Sequence, residues 1–135
     1  MSTDLLRTLL DSLEEELPQA VELRDQLHAI PEPSHEEHTT AGLVAEVLGA
    51  RSVDRVAGTG LVARVGPPGE IVVVRAELDA LPIEEETGAP FAATNGFMHA
   101  CGHDVHMAAL TAVFRAAVRV EGSLPKSLVA LFQPS

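Results

Sequence analysis

The stretch MHACGHDVHMAALTAVFRAAVRV, residues 98–120, decides the fold because it joins a polar cluster to a long apolar helix pattern. It holds the one cysteine of the chain, Cys101, and three of the six histidines within a short span. A thiolate and imidazoles this close together favour a metal site over a packed core. After Asp104 the residues are almost all Ala, Val, Leu and Met, which predicts a largely buried helix over residues 105–120 with Asp104 as its cap.

Strand patterns lie on both sides of this stretch. IVVVRA, residues 71–76, has no polar alternation, which is typical of a strand covered on both faces, so we predict a central strand. SLVALF, residues 127–132, predicts another buried strand. The turn GPPGE separates GLVARV from IVVVRA, which predicts that these two runs form a hairpin or lie near each other.

Two further helices are predicted before the strands. Leucines at a helical spacing predict an amphipathic helix over residues 3–16, which Pro18 either kinks or restarts toward His28. Ser34, with Glu37 three residues later, predicts a capping box for a helix that ends near Gly49. Helices, then strands, then a helix and a strand again indicate an α/β layer architecture.

Composition limits the classes of function. The chain has 135 residues, 46% of them hydrophobic, and a net charge of -11, which disfavours nucleic acid and anionic membranes as partners. A single cysteine excludes an internal disulfide, and the N-terminus lacks the pattern of a signal peptide, so we expect a cytoplasmic location. The acidic runs at residues 14–16 and 84–86 are typical of solvated surface.

Three segments are expected to meet at one edge of the sheet. IVVVRA runs directly into Glu77 and Asp79, SLVALF runs into Gln133, and the Cys101–His103 segment precedes the buried helix. In open α/β sheets, sites collect beyond the carboxyl ends of the strands. The topology therefore predicts that these side chains face one rim.

The pair Cys101 and His103 suits zinc first and other divalent transition metals next. Alternatives are a small buried cysteine beside a satisfied histidine, or a cysteine nucleophile with His99, His103 or His106 as its base. No oxyanion-binding element supports the nucleophile. A zinc finger fits less well, because one cysteine leaves no CxxC pair.

The segments LHAIPEPSHEEHTTAGLVAEVL, GTGLVARVG, RAELDALPIEEETGAPFAATNGFMHACGHDVHMAAL and LVALFQPS together resemble the N-terminal part of the aminoacylase and carboxypeptidase superfamily of metallopeptidases, peptidase family M20. The branch it resembles includes hippurate hydrolases and the amidohydrolases of N-acyl and indole-acetyl amino acids. The resemblance implies that residues 1–135 are the N-terminal part of a single catalytic domain. That domain would be an incomplete zinc-peptidase-like α/β unit, with helices packed on a mixed, largely parallel central sheet.

By this resemblance, Cys101 and His103 match two metal ligands of the HACGHD motif. Asp79 matches the carboxylate that orients a metal-ligating histidine. Glu77 stands where the branch usually has Asp. A complete site would hold two divalent metals, zinc or manganese, with nickel or cobalt also suitable. His28 is expected to be structural and His99 to be structural or orienting. His106 is expected to pack in the helix, and His35 and His38 to be exposed on a helix.

The resemblance also implies what the 135 residues leave out. Family members follow QPS with two glutamates, a general base and a metal ligand, and they add later histidine ligands and a smaller dimerisation domain. We therefore expect an amidohydrolase acting on N-acyl amino acids or similar small conjugates, of which this chain alone is inactive or nearly so. The alternative is a non-catalytic truncated fragment with weak or no metal binding. An unpaired strand edge after SLVALF favours homo-oligomers.

Overall fold

The computed structural model describes residues 1–49 and 52–134, and the α/β class predicted from the sequence is confirmed there. The helices are α1 (Thr3–Ala29), α2 (His38–Leu48) and α3 (His103–Arg119). The strands are β1 (Val53–Val56), β2 (Gly60–Val65), β3 (Ile71–Glu77) and β4 (Ser127–Gln133). None of the helices in the described part of the chain is long and apolar enough to cross a membrane.

The four strands form one sheet in the order β1-β2-β4-β3. β1 pairs with β2 and β2 with β4 in antiparallel fashion, whereas β3 and β4 are parallel. The parallel pair needs a crossover, which α3 provides. The sheet is mixed, as predicted, but among the described strands it is not largely parallel, since two of its three pairings are antiparallel.

The position of β3 corrects two strand predictions. β4 lies between β2 and β3, so GLVARV and IVVVRA border the same strand and do not form a hairpin. In the described residues β3 pairs with β4 alone, and its apolar run from Ile71 to Val74 is exposed, not covered on both faces. The apolar strand edge of the described sheet is therefore β3, not β4. Homo-oligomerisation stays a prediction, and β3 is the strand that would carry it.

Helix boundaries follow the predictions in part. α1 continues through Pro18 without restarting. α2 begins after Glu37, not at Ser34, and its free N–H groups at Thr39 and Thr40 donate to the carboxylate of Glu32 at 3.1 and 2.5 Å. It ends, as predicted, at Gly49, whose φ of 56° is left-handed.

The core lies between the helices and the sheet. Its buried apolar side chains come from all three helices, from strands β2, β3 and β4 and from Leu78 just after β3. The largest are Leu23, Leu27, Val44, Leu61, Leu78, Met107, Phe114 and Phe132. Close packing of this layer fixes α3 against the sheet, and so fixes the direction in which the N-terminus of α3 points.

One member of the first acidic run is buried, which corrects its prediction as solvated surface. Glu16 accepts hydrogen bonds from Arg115 Nε and Arg119 Nη2, both at 2.6 Å, and thereby joins α1 to α3. Burial alone would raise the pKa of Glu16, but the hydrogen bonds and charges of the two arginines outweigh it and lower the pKa.

We expect opposite effects from alanine at two glycines. A Cβ on Gly60 would lie 2.7 Å from Pro134 Cδ and 2.8 Å from the backbone oxygen of Val56, whereas one on Gly42, inside α2, meets no atom within 4 Å. Gly60→Ala should cost about 1–3 kcal/mol through overpacking, and Gly42→Ala should add about 0.5–1 kcal/mol through helix propensity. Urea unfolding of both variants checks this, and equal midpoints would contradict it.

Candidate functional site

The carboxyl ends of β3 and β4 meet at one edge of the sheet, as predicted. Glu77 and Gln133 are in register, and the N–H of Leu78 donates to the Gln133 carbonyl oxygen at 3.0 Å. The loop between β3 and α3 is closed on itself by a reciprocal pair of backbone hydrogen bonds between Leu81 and Met98, at 3.0 and 2.9 Å. This closure returns the chain to the edge that Asp79 occupies.

His103, the first residue of α3, lies between two carboxylates at this edge. Its Nδ1–H donates to the backbone oxygen of Asp79 at 2.9 Å, and Asp79 Oδ1 is 3.1 Å from the same nitrogen. The N–H points at the backbone oxygen, so the buried Oδ1 lies beside the ring without a hydrogen-bond partner. On the other side of the ring, Nε2 is 3.1 Å from Glu77 Oε2.

Cys101 lies on the same turn, with an exposed, free thiol. Gly102 between the two predicted ligands adopts φ 80° and is the N-cap of α3, a left-handed conformation that glycine adopts without strain. Its N–H donates to the His99 carbonyl oxygen at 3.3 Å. The turn thus presents a thiol and an imidazole on either side of one glycine.

These residues fit part of a metal centre. A histidine whose Nδ1 is held by a carboxylate residue leaves Nε2 as the nitrogen that can ligate a metal, and in His103 this nitrogen faces Glu77 Oε2 at 3.1 Å. The unpartnered Oδ1 of Asp79 beside Nδ1 adds negative charge. Within residues 1–49 and 52–134, no group of three or more His, Cys, Asp or Glu side chains is placed to hold an ion. The donors present are therefore too few for a closed site.

His99 is buried behind this edge, and neither of its ring nitrogens has a hydrogen-bond partner in the described part of the chain. Burial lowers its pKa to about 4, so the ring is neutral at pH 7. The structural or orienting role expected for His99 stays a prediction.

The acidic partners of His28 were not predicted from the sequence. This buried histidine hydrogen-bonds Asp104 Oδ2 through Nδ1 at 2.7 Å and Glu85 Oε1 through Nε2 at 2.8 Å. Asp104 is buried in the first turn of α3 and serves this contact, whereas the predicted cap of α3 is supplied by Gly102. Glu85, predicted as solvated, also accepts from Thr87 and from the backbone N–H of Ala93. The histidine and its two acids lie in three segments far apart in the sequence, so no local sequence pattern indicates that they are in contact.

The remaining histidines lie at the surface. His106 is exposed, with its ring centroid 6.2 Å from that of His103, so its predicted packing role is wrong. It follows His103 by three residues, which puts both on one face of α3. His35 and His38 are exposed as predicted, although His35 precedes α2 and is not helical.

The chain is similar in sequence to known proteins. The sequence model described as "Peptidase family M20/M25/M40" matches residues 73–135. The chain is 41% identical to N-acetyldiaminopimelate deacetylase of Exiguobacterium sibiricum, over 86% of this chain and 33% of that protein. It is 36% identical to N-acyl-L-amino acid amidohydrolase of Geobacillus stearothermophilus, over 98% of this chain and 37% of that protein.

A solved structure agrees with these matches. The YxeP protein of Bacillus subtilis, described as a dinuclear metal binding peptidase from the M20 family, superposes with a TM-score of 0.83 at 31% identity, over 90% of this chain and 36% of that one. The chain thus spans about a third of the length of the relatives it matches.

Proposed function

Because the chain belongs to peptidase family M20/M25/M40, we propose that it carries part of the active site of a metal-dependent amidohydrolase acting on N-acyl amino acids or similar small conjugates. The observation that carries this proposal is the edge where Asp79 fixes Nδ1 of His103 beside the free thiol of Cys101. Names of relatives that deacetylate or hydrolyse N-acyl amino acids support the substrate class.

Each residue has a separate task in this proposal. Cys101 as thiolate and His103 through Nε2 would hold the ion, and Asp79 would keep the proton of His103 on Nδ1. When bound, a divalent metal polarises the amide carbonyl of the substrate and favours ionisation of water. Thiolate and imidazole favour zinc, and manganese, nickel or cobalt are also proposed.

The general base is expected from chain beyond Ser135. Gln133 is in register with Glu77, so a residue that follows β4 enters the same edge. A base must lie within hydrogen-bond reach of the water that it deprotonates, and the direction of β4 toward this edge supports that part of the proposal. We therefore propose that the 135 residues alone bind metal weakly and do not turn over substrate.

The second candidate, a non-catalytic fragment, is favoured by one observation. The described residues offer fewer than three grouped donors, whereas catalytic zinc sites use about three protein ligands plus water. This candidate predicts the same lack of turnover, so metal binding and not activity separates the two.

The test is a calorimetric titration of zinc and of manganese into the chain, its Cys101→Ala variant and its His38→Ala variant. Hydrolysis of hippurate is assayed on the same samples with and without a chelator. We expect binding that Cys101→Ala weakens and that His38→Ala leaves unchanged, since His38 is exposed and is not among the predicted ligands. No binding in any sample would favour the non-catalytic fragment, and hydrolysis that a chelator stops would overturn the expected inactivity.

A further inference from the structure

A line of charged side chains lies behind the turn that carries Cys101 and His103. It runs from Arg24 through Asp104 and His28 to Glu85, and we call these four residues the His28 bridge. Arg24 Nε is 3.1 Å from Asp104 Oδ2, the same oxygen that His28 contacts. The side chains of His28, Asp104 and Glu85 are 6%, 1% and 0% exposed, so these three are buried, whereas the Arg24 end of the bridge is 31% exposed.

The geometry sets the protonation of His28. Both ring nitrogens face carboxylate oxygens, at 2.7 and 2.8 Å, and an ionised carboxylate only accepts hydrogen bonds. Both nitrogens therefore donate, and the ring is an imidazolium. A buried imidazolium between two carboxylates is compensated, and with Arg24 beside Asp104 the four side chains balance in charge. Loss of the His28 charge would leave one buried negative charge without a cation, chiefly at Glu85, since Asp104 still faces Arg24.

The bridge joins three parts of the chain that meet at the site. His28 and Arg24 belong to α1, Glu85 to the loop between β3 and α3, and Asp104 to the first turn of α3. Phe91 of the loop covers the bridge, with its ring edge-on to His28 at 5.5 Å and under the guanidinium of Arg24 at 4.7 Å. Glu85 in turn holds the loop through the N–H of Ala93 at 2.7 Å.

We propose that His28 is a positioning residue, which as an imidazolium fixes the first turn of α3 through Asp104 and the adjoining loop through Glu85. Asp104 follows His103 directly, so a shift of Asp104 moves the imidazole that Asp79 orients. The link from bridge to metal affinity rests on the proposed function, whereas the link from bridge to the order of the turn does not.

The charges around His28 predict how the bridge responds to pH. Burial alone would lower its pKa, but hydrogen bonds to Glu85 and Asp104 outweigh it and raise the pKa above its ordinary value. Glu85, bonded by Thr87, Ala93 and His28, has its pKa lowered to about 2 and stays ionised. The other groups that face the bridge are the guanidinium of Arg24, 3.1 Å from Asp104 Oδ2, and His99, whose ring centroid is 6.5 Å from that of His28 and whose pKa burial lowers to about 4.

The raised pKa of His28 determines whether the stability that the bridge contributes rises or falls with pH. The bridge contributes its full stability below the unfolded-state pKa of histidine, about 6.5. That contribution is lost as pH rises through the higher folded-state pKa of His28. The turn at Gly102 should accordingly be best ordered at mildly acidic to neutral pH.

The experiment compares the chain with its His28→Gln variant and with His38→Gln as the matched control on an exposed histidine. Nitrogen NMR of the histidine rings reads the protonation of His28. Hydrogen exchange is followed at the amides of Gly102, Val105 and His106, which donate within the turn. Zinc affinity is measured by calorimetry.

We expect both ring nitrogens of His28 to be protonated at pH 7. In His28→Gln the three amides should exchange at least about tenfold faster, as for the loss of a charge-assisted hydrogen bond. In the parent chain their protection should fall as pH rises through the raised folded-state pKa of His28, and in His28→Gln it should not. Zinc affinity should fall about tenfold in His28→Gln, and His38→Gln should match the parent throughout.

The outcomes separate the two proposals. A singly protonated His28, or turn amides that His28→Gln leaves unchanged, would overturn the positioning role whether or not zinc binds. A parent chain that binds no zinc would overturn the proposed metal site, and the exchange and NMR data would still decide on the bridge. If His28→Gln does not fold, Glu85→Gln removes one carboxylate partner, and unchanged turn exchange in that variant would overturn the inference.

Discussion

Replacing Phe132 by alanine should lower the free energy of unfolding of the chain by about 3–5 kcal/mol, a large part of the roughly 5–15 kcal/mol of a typical domain. Phe132 is completely buried in β4 and lies in register between Leu61 of β2 and Ala76 of β3. Because neighbours on both sides restrict how far the sheet relaxes into the cavity, the loss should lie in the upper part of the range for large-to-small substitutions in a core. Chemical denaturation of the purified variant measures the loss.

The matched control is Val72→Ala on β3. Val72 is about half exposed, so its truncation opens no cavity and should cost less than about 1 kcal/mol. The two variants also test the strand order. If β3 were covered on both faces, as its sequence suggests, Val72→Ala would cost as much as a core truncation. Equal losses in the two variants would contradict the edge position of β3.

The helices were predictable because their signal is local. The leucines of α1 and the Ala/Val-rich pattern of α3 repeat within a few residues. α3 forms close to its predicted range, whereas α1 begins as predicted and extends through Pro18 to Ala29. The order of the strands depends on pairing between distant segments. IVVV looks the same whether a strand is central or at an edge, and nothing within it shows that β4 inserts between β2 and β3.

The candidate site, like the fold, was predictable in part. That Asp79, Cys101 and His103 belong to one edge follows from the rule that parallel strands present their carboxyl ends together, and the structure brings Asp79 and His103 into contact. Each acidic run has one member turned inward, Glu16 toward Arg115 and Glu85 toward His28. Tertiary packing decides which carboxylate of a run meets a cation. The sequence of the run is therefore the same as that of a solvated surface, even when one member is buried.

The second large effect should appear as a graded series in zinc affinity. His103→Ala removes one of the two proposed donors and should abolish measurable binding. Asp79→Asn should weaken binding by about tenfold, the lower end of the usual range for an orienting carboxylate. The lower end applies because the backbone oxygen of Asp79 still accepts from Nδ1 at 2.9 Å after the side chain is changed.

Glu77→Gln should not weaken zinc binding as these two variants do, although Glu77 lies as close to the same imidazole. Glu77 Oε2 is 3.1 Å from Nε2, the nitrogen that an ion would need, whereas Asp79 faces Nδ1. A carboxylate there favours a proton on Nε2 and competes with the metal, and an amide competes less. Zinc affinity in Glu77→Gln should therefore equal or exceed that of the parent chain. Weaker binding would instead make Glu77 a direct ligand, and the longer side chain at this position would then extend the metal site instead of blocking it.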